Sequence, residues 1–273
     1  MKISKIWIAA LVAVLSSGLV ACAPSAPQLK KVLEDNPDVL FAAMKKDPVG
    51  FLETVNEIDK LARVQREEQQ FEDGFKNPYK PVFEDSRTFE GPKDAAITIV
   101  EYTDFQCSHC REGMSVIREV MKAYEGKVRV LTKHFPIDRM HPQARKMAQL
   151  YEAMATKDKA KALEFKAKLF EDQDDFQPTD KEREIKSQDD FIARYGRRID
   201  AELAKVVKSF GFEFAELKKL GESDAIANLV QKDLEEGQAF GFTGTPGYLV
   251  NGVPVRGAYP FETFKMVIDR VSK

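Results

Sequence analysis

The chain has 273 residues, 43% of them hydrophobic, 10% aromatic and 32% charged, a balance suited to a folded globular protein. Its formal net charge of −2 leaves no basic excess of the kind nucleic-acid binding needs, so nucleic acid is not expected as a partner. Only three cysteines occur, Cys22, Cys107 and Cys110, which excludes a fold stapled by several disulfides and leaves stability to a hydrophobic core.

The N-terminus reads MKISKIWIAALVAVLSSGLVAC. Lys2 and Lys5 precede an apolar run from Ile6 to Leu15 and the small residues Ser16 to Gly18, the order of an export signal and too short for a comfortable membrane span. Its end, Leu19-Val20-Ala21-Cys22, resembles a bacterial lipoprotein processing box. That resemblance implies removal of residues 1–21 and lipid on the Cys22 thiol, hence an exported protein anchored to a membrane. An ordinary secretory signal followed by a chance cysteine is the alternative.

Residues 22–80 form a helical N-terminal extension. Asn36-Pro37 and Asp47-Pro48 each place a capping side chain directly before a proline, the arrangement of a helix start. In the third helix Phe51, Val55, Ile58 and Ala62 form an apolar stripe, widened by Leu52, Leu61 and Val64. Such a stripe needs a surface to bury it, either the domain that follows or the same helix in another subunit, so this extension is a candidate homo-oligomerisation region. The turn-rich stretch Lys76-Asn77-Pro78-Tyr79-Lys80-Pro81 marks a boundary.

The β-branched run AAITIVEYTDF, 95–105, reads as a buried strand. Helical spacing follows through Met114, Ile117, Val120, Met121 and Tyr124 and stops at Gly126. A second strand, KVRVLTKHFP, 127–136, alternates Val128, Val130 and Thr132 with charged neighbours, completing a βαβ unit with a parallel pair. From His141 to about Ala239 the pattern is helical and charge-rich, with Gly196, Gly211, Gly221 and Gly241 as expected stops. Within it DQDDFQPTDKEREIKSQDD, 172–190, reads as a loop or frayed helix. A strand returns at GYLVNGVPV, 247–255, with Asn251-Gly252 as a tight hairpin turn, and Phe261, Phe264, Val267, Ile268 and Val271 make an amphipathic terminal helix. The expected architecture is an α/β domain of two parts, 90–138 and 241–273, split by an inserted helical subdomain at 139–240.

Cys107 and Cys110 stand at the junction of strand and helix. A thiolate on Cys107 would meet the unpaired N–H groups and positive end of the helix, so its pKa should fall below the free value of about 8.5. A protonated His109 would add favourable charge. Each unit of lowering favours the reduced pair by about 1.4 kcal/mol and makes the disulfide more oxidising. Cys107 is then the attacking sulfur and Cys110 the resolving one, so the redox-active pair serves in place of a bound cofactor. A structural zinc site would need four ligands, and the chain offers three histidines and no second cysteine pair. Cu(I) held by the two thiolates is an open alternative, as a binding module without turnover.

Glu101, Phe105, CSHC at 107–110 and TGTPGYLVNG at 243–252 resemble the thiol-disulfide oxidoreductases of the DsbA family, which have a thioredoxin fold with an inserted helical domain. The resemblance covers most of residues 90–273. It implies a cis Thr245-Pro246 bond against the active-site pair, a Thr245 backbone that pairs with an extended client chain, and client contacts at Ser108, Thr245 and Pro246. It also implies a buried acid at Glu101, serving as proton acceptor for Cys110 with a pKa raised by burial; a strand-end glutamate facing water is the alternative. Its expected partners are exported cysteine-containing proteins and a membrane redox protein that resets the pair. Ser-His between the cysteines, where well-known members have Pro-His, and Thr245 before the proline leave oxidase and isomerase directions both open. His134 and His141 receive no catalytic role.

Overall fold

The computed structural model describes residues 25–84 and 86–273, so the expected signal segment 1–21 and the lipidation candidate Cys22 lie outside the described residues. The chain divides into two units, Met1–Gln65 and Arg66–Lys273.

The N-terminal helices are α1 (Ala26–Asp35), α2 (Pro37–Lys46) and α3 (Pro48–Lys76), the last continuing into the second unit. Their starts follow local chemistry. Ser25 and Gln28 form a capping box at α1, α2 and α3 open on prolines, and the Asp47 carboxylate accepts from the Gly50 N–H at 3.0 Å. The stripe foreseen on α3 is real as a pattern and uncovered in the single chain: Leu52, Val55, Ile58, Leu61 and Val64 are all exposed, Ile58 at 59%.

In the second unit a mixed sheet runs in the order β1-β3-β2-β4-β5, with β1 (Phe89–Glu90), β2 (Ile97–Thr103), β3 (Val128–His134), β4 (Gly247–Val250) and β5 (Val253–Arg256). Only β2 and β3 are parallel, joined through α4 (Ser108–Ala123) as the βαβ pattern requires. The period of two along β2 sorts its side chains. Ile97 and Ile99 pack with Ile117 and Val120 of α4 and with Phe264, Val267 and Ile268 of α11 (Phe261–Val271). Val100 and Tyr102 face the other way, into a cluster with Leu131, Leu249 and Phe242. Glu101 follows Ile99 on the α4 side, and its neighbours in register are Thr132 and Tyr248. The hairpin between β4 and β5 turns at Asn251 (φ 47°) and Gly252 (φ 89°), the left-handed values that Asn-Gly tolerates.

Between β3 and β4 lie α5 (Ala144–Lys157), α6 (Lys159–Glu171), a 3-10 turn (Gln173–Phe176), α7 (Asp180–Arg183), α8 (Gln188–Ser209), α9 (Phe214–Gly221) and α10 (Asp224–Ala239). Two expectations change here. Gly196 lies inside α8 rather than ending a helix: Tyr195, Ile199, Leu203 and Val207 are buried at helical spacing across it, outweighing the roughly 1 kcal/mol a mid-helix glycine costs. Gly211 and Gly241 do follow helices, at φ 80° and 76°. The polar stretch 172–190 is also more ordered than a loop, because Phe176 and Gln173 are buried and Thr179 caps α7. Charge on β3 does not imply exposure either, since Lys133 is buried and ion-paired with Glu236.

Candidate active site

The turn leading into α4 is built by Asp104. Its Oδ1 accepts from the Gln106 N–H at 2.8 Å, its carbonyl accepts from the Cys107 N–H at 3.1 Å, and its own N–H points at the Cys110 sulfur at 3.4 Å. Oδ2 of the same carboxylate takes the Ile137 N–H and the His141 Nδ1, both at 2.8 Å. Cys107 is the N-cap of α4, with extended backbone, and its carbonyl accepts the Cys110 N–H at 3.0 Å. The inserted helices hold this turn from the other side. Gln173 Nε2 donates to the carbonyls of Phe105 and Cys107, each at 2.9 Å, and the Gln106 side chain bonds to the Phe176 carbonyl and the Gln143 N–H.

The two thiols differ sharply in environment. Both are free; Cys107 is 7% exposed and Cys110 is 0%. The Cys107 pKa is lowered to about 5, chiefly by the hydrogen bond from the Cys110 thiol, which overcomes burial; Thr245 and the Cys110 N–H add to it. Burial and the neighbouring Cys107 charge push Cys110 well above the ordinary thiol value. The helix amides therefore contribute, as their position at the helix start leads one to expect, and the neighbouring thiol ranks ahead of them. As a thiol, Cys107 donates to the Thr245 carbonyl at 3.5 Å, and the Thr245-Pro246 bond beside it is cis.

Ser108 and His109 are exposed on the first turn of α4. His109 Nδ1 lies 3.1 Å from Glu112, and that hydrogen bond, with the charges of Glu112 and Cys107, raises the imidazole pKa above its ordinary value. Glu101 does not face water: it is fully buried, and Lys166 Nζ of α6 donates to its Oε2 and, at 2.8 Å, to Thr132 Oγ1. The acid is thus one half of a buried ion pair. Its second oxygen and the Tyr248 hydroxyl opposite are both buried without a hydrogen-bond partner among the described residues. Gly113 is needed here, because a side chain at that position would collide with the Tyr248 hydroxyl.

His134 and His141 turn out to be tied in, His141 to Asp104 and His134 to Glu152 at 2.8 Å. Burial works against a charged His141, but the Asp104 hydrogen bond and charge raise its pKa. His134, Glu152 and Asp233 converge as ligand-type groups, yet Arg87 already bridges them, 2.7 Å from Asp233 and 3.5 Å from Glu152, so a cation is supplied by the chain itself. Asp104, Gln106, Gln173 and Lys166 all support the site, and sequence reasoning missed each. Only Asp104 carried a signal, an Asx-type residue between a strand and a helix.

A family model described as Thioredoxin matches residues 84–270. Among curated proteins the chain is 28% identical over 188 residues to Na(+)/H(+) antiporter NhaA 3 of Salinispora tropica, covering 69% of this chain and 25% of that protein. It is 27% identical over 180 residues to Na(+)/H(+) antiporter NhaA 1 of Mycolicibacterium vanbaalenii, covering 66% and 26%. The chain spans about a quarter of the length of these relatives, whose names describe the whole proteins. No helix among the described residues is long and apolar enough to cross a membrane. Among solved structures, oxidised BdbD from Bacillus subtilis superposes with a TM-score of 0.56 at 20% identity, covering 72% of this chain and 98% of that one. The thiol-disulfide exchange protein alpha-DsbA2 from Wolbachia pipientis gives 0.53 at 16%, covering 77% and 98%. ScsC from Proteus mirabilis in a transitional conformation gives 0.51 at 17%, covering 91% and 97%. These similarities are similarities of fold.

Proposed function

From the premise that this chain belongs to the thioredoxin family, by the match over residues 84–270, we propose that it is an extracytoplasmic protein thiol-disulfide oxidoreductase working through Cys107 and Cys110. The observation that carries the reading is the division of labour between two adjacent sulfurs: one at 7% exposure with a pKa lowered to about 5, one fully buried with its pKa raised. A structural thiol pair has no need of that asymmetry.

In the oxidising direction a client thiolate attacks Cys107 of the disulfide. The client–Cys107 S–S bond forms, the Cys107–Cys110 bond breaks, and Cys110 departs with the electron pair and takes up a proton. A second client thiolate then attacks the first client sulfur and expels Cys107 as a thiolate. The client has gained a disulfide and the protein pair two electrons; one client proton ends on Cys110 and the other in solvent. The low pKa of Cys107 makes it a good leaving group and the high pKa of Cys110 keeps it protonated. Ser108, Thr245 and Pro246 are the client-contacting residues in this reading, with the Thr245 carbonyl 3.5 Å from the Cys107 sulfur. His109, whose pKa the hydrogen bond and charge of Glu112 raise, favours the thiolate when protonated. Glu101 enters this reading as the buried, Lys166-paired carboxylate on β2.

The clients in this reading are exported proteins with cysteines, a membrane redox protein resets the pair, and lipid on Cys22 anchors the chain after removal of residues 1–21. Exposed apolar residues on α1 to α3 favour assembly with a second copy through these helices, which would bring sites together as isomerisation needs. The deciding experiment pairs Cys107→Ser with Cys110→Ser in a peptide-oxidation and insulin-reduction assay. Both substitutions should abolish turnover, and Cys110→Ser alone should accumulate a mixed disulfide with client. Trapping by Cys107→Ser instead reverses the roles of the sulfurs, and absence of exchange by the intact protein leaves a copper- or client-binding module in its place.

A further inference from the structure

Beside the Thr245-Pro246 loop lies a cavity of about 210 Å³, lined by Thr243, Gly244, Thr245, Pro246 and Arg256 among others. Its size suits a side chain or two, below the roughly 300–1,000 Å³ of a pocket for a larger organic ligand. Its one charged wall is Arg256, the last residue of the edge strand β5. The guanidinium is held in place by neutral groups only. Nη2 donates to the Phe240 carbonyl at 3.0 Å and reaches the Tyr79 hydroxyl at 3.4 Å, and the group lies over the Phe242 ring at 5.4 Å. Among the described residues no carboxylate pairs with it; Asp73, which lines a neighbouring cavity with Arg256, accepts from Gln69 instead.

We propose that Arg256 is a carboxylate-reading subsite of the client groove, selecting extended segments that carry an aspartate or glutamate close to the reacting cysteine. The inference rests on the oxidoreductase reading for its client, and the placement follows from the sheet. Arg256 is in register with Gly247, two residues beyond Thr245, whose carbonyl is 3.5 Å from the attacking sulfur. An extended client advances about 3.3 Å per residue, so the fork is reached within about two or three residues of the client cysteine. A part-buried guanidinium, fixed over an aromatic ring and lacking an anion, meets a carboxylate with little ordering cost and presents two donors at once.

The test uses short peptides with one central cysteine and Glu, Gln or Lys at each of the three positions on either side, together with the same peptides carrying serine for cysteine. Binding of the serine set is read by fluorescence anisotropy and exchange of the cysteine set by formation of mixed disulfide, with the wild-type protein, R256Q and R256K. The wild type should bind a Glu peptide about 3- to 10-fold tighter than its Gln counterpart, the range for the net worth of a typical hydrogen bond, with Lys weakest and the gap narrowing in salt. The gap should close in R256Q and persist in part in R256K. Equal affinities in the wild type, or an undiminished Glu preference in R256Q, overturn the subsite even where exchange is robust. A Glu preference that depends on Arg256 but comes without exchange supports the subsite and removes the oxidoreductase reading, so the two fail separately. If R256Q does not fold, equal affinities across the wild-type series still overturn the subsite, and an undiminished Glu preference in R256K does the same.

Discussion

Residues 26–64 and the sheet with its inserted helices handle apolar side chains in opposite ways. In the first region Leu29, Leu40, Phe41, Leu52, Ile58 and Leu61 are exposed; in the second, Ile99, Leu131, Phe165, Leu203 and Phe264 are at most 1% exposed. The second region even has burial to spare for charge: Glu101 with Lys166, and Arg87 with Asp233, sit inside it as paired ions. A region that closes its own core can hold a reactive sulfur at fixed geometry. A region whose apolar face is open in the single chain is suited to joining copies.

The contrast breaks most visibly at Lys166. Lys166→Met leaves the Glu101 carboxylate buried without its cation, and denaturant unfolding should show a loss of about 3–5 kcal/mol. Adding Glu101→Gln should return much of that stability, and a neutral outcome for Lys166→Met alone would mean the pair is hydrated. A smaller, pH-dependent effect belongs to Cys107. Its folded pKa lies near 5 against an unfolded value near 9, so the reduced protein binds fewer protons than its unfolded chain across that window. The resulting stabilisation is fully present above about pH 9 and lost as pH falls through about 5. Unfolding curves at pH 5, 7 and 9 should therefore show the reduced form gaining on the disulfide form as pH rises; a flat difference would contradict the lowered pKa. Least of all should change with Ile58→Glu, at 59% exposure: unfolding of the catalytic region should move by no more than about 0.5 kcal/mol, while light scattering reads a lower assembly mass. A single-chain mass for the unaltered protein would end the account of the N-terminal helices.

Much of this was readable from sequence because local rules and global packing agree. The β-branched run at 97–103, the glycines after α8 and α10, the prolines opening α2 and α3, and Asn251-Gly252 each name their own backbone state. Cys107, Cys110 and Thr245-Pro246 were visible as motifs, and the structure brings them together. What escaped were partners supplied across long separations. Lys166 meets Glu101 from 65 residues away, and Gln173 meets the Cys107 carbonyl from 66, and neither lysine nor glutamine in a helical, polar stretch signals burial. Gly196 misled for the opposite reason, since a glycine's local preference yields to four buried side chains on one helix face.

The amide of Gln173 has a consequence for the history of such proteins. One NH2 group grips the carbonyls of Phe105 and Cys107, two residues apart, so the helical insertion and the cysteine motif are mechanically married. Transplanting CSHC into a bare scaffold, or exchanging the insertion as a cassette, would strip both carbonyls of that shared amide, leaving the Cys107 carbonyl only the N–H groups of its own helix.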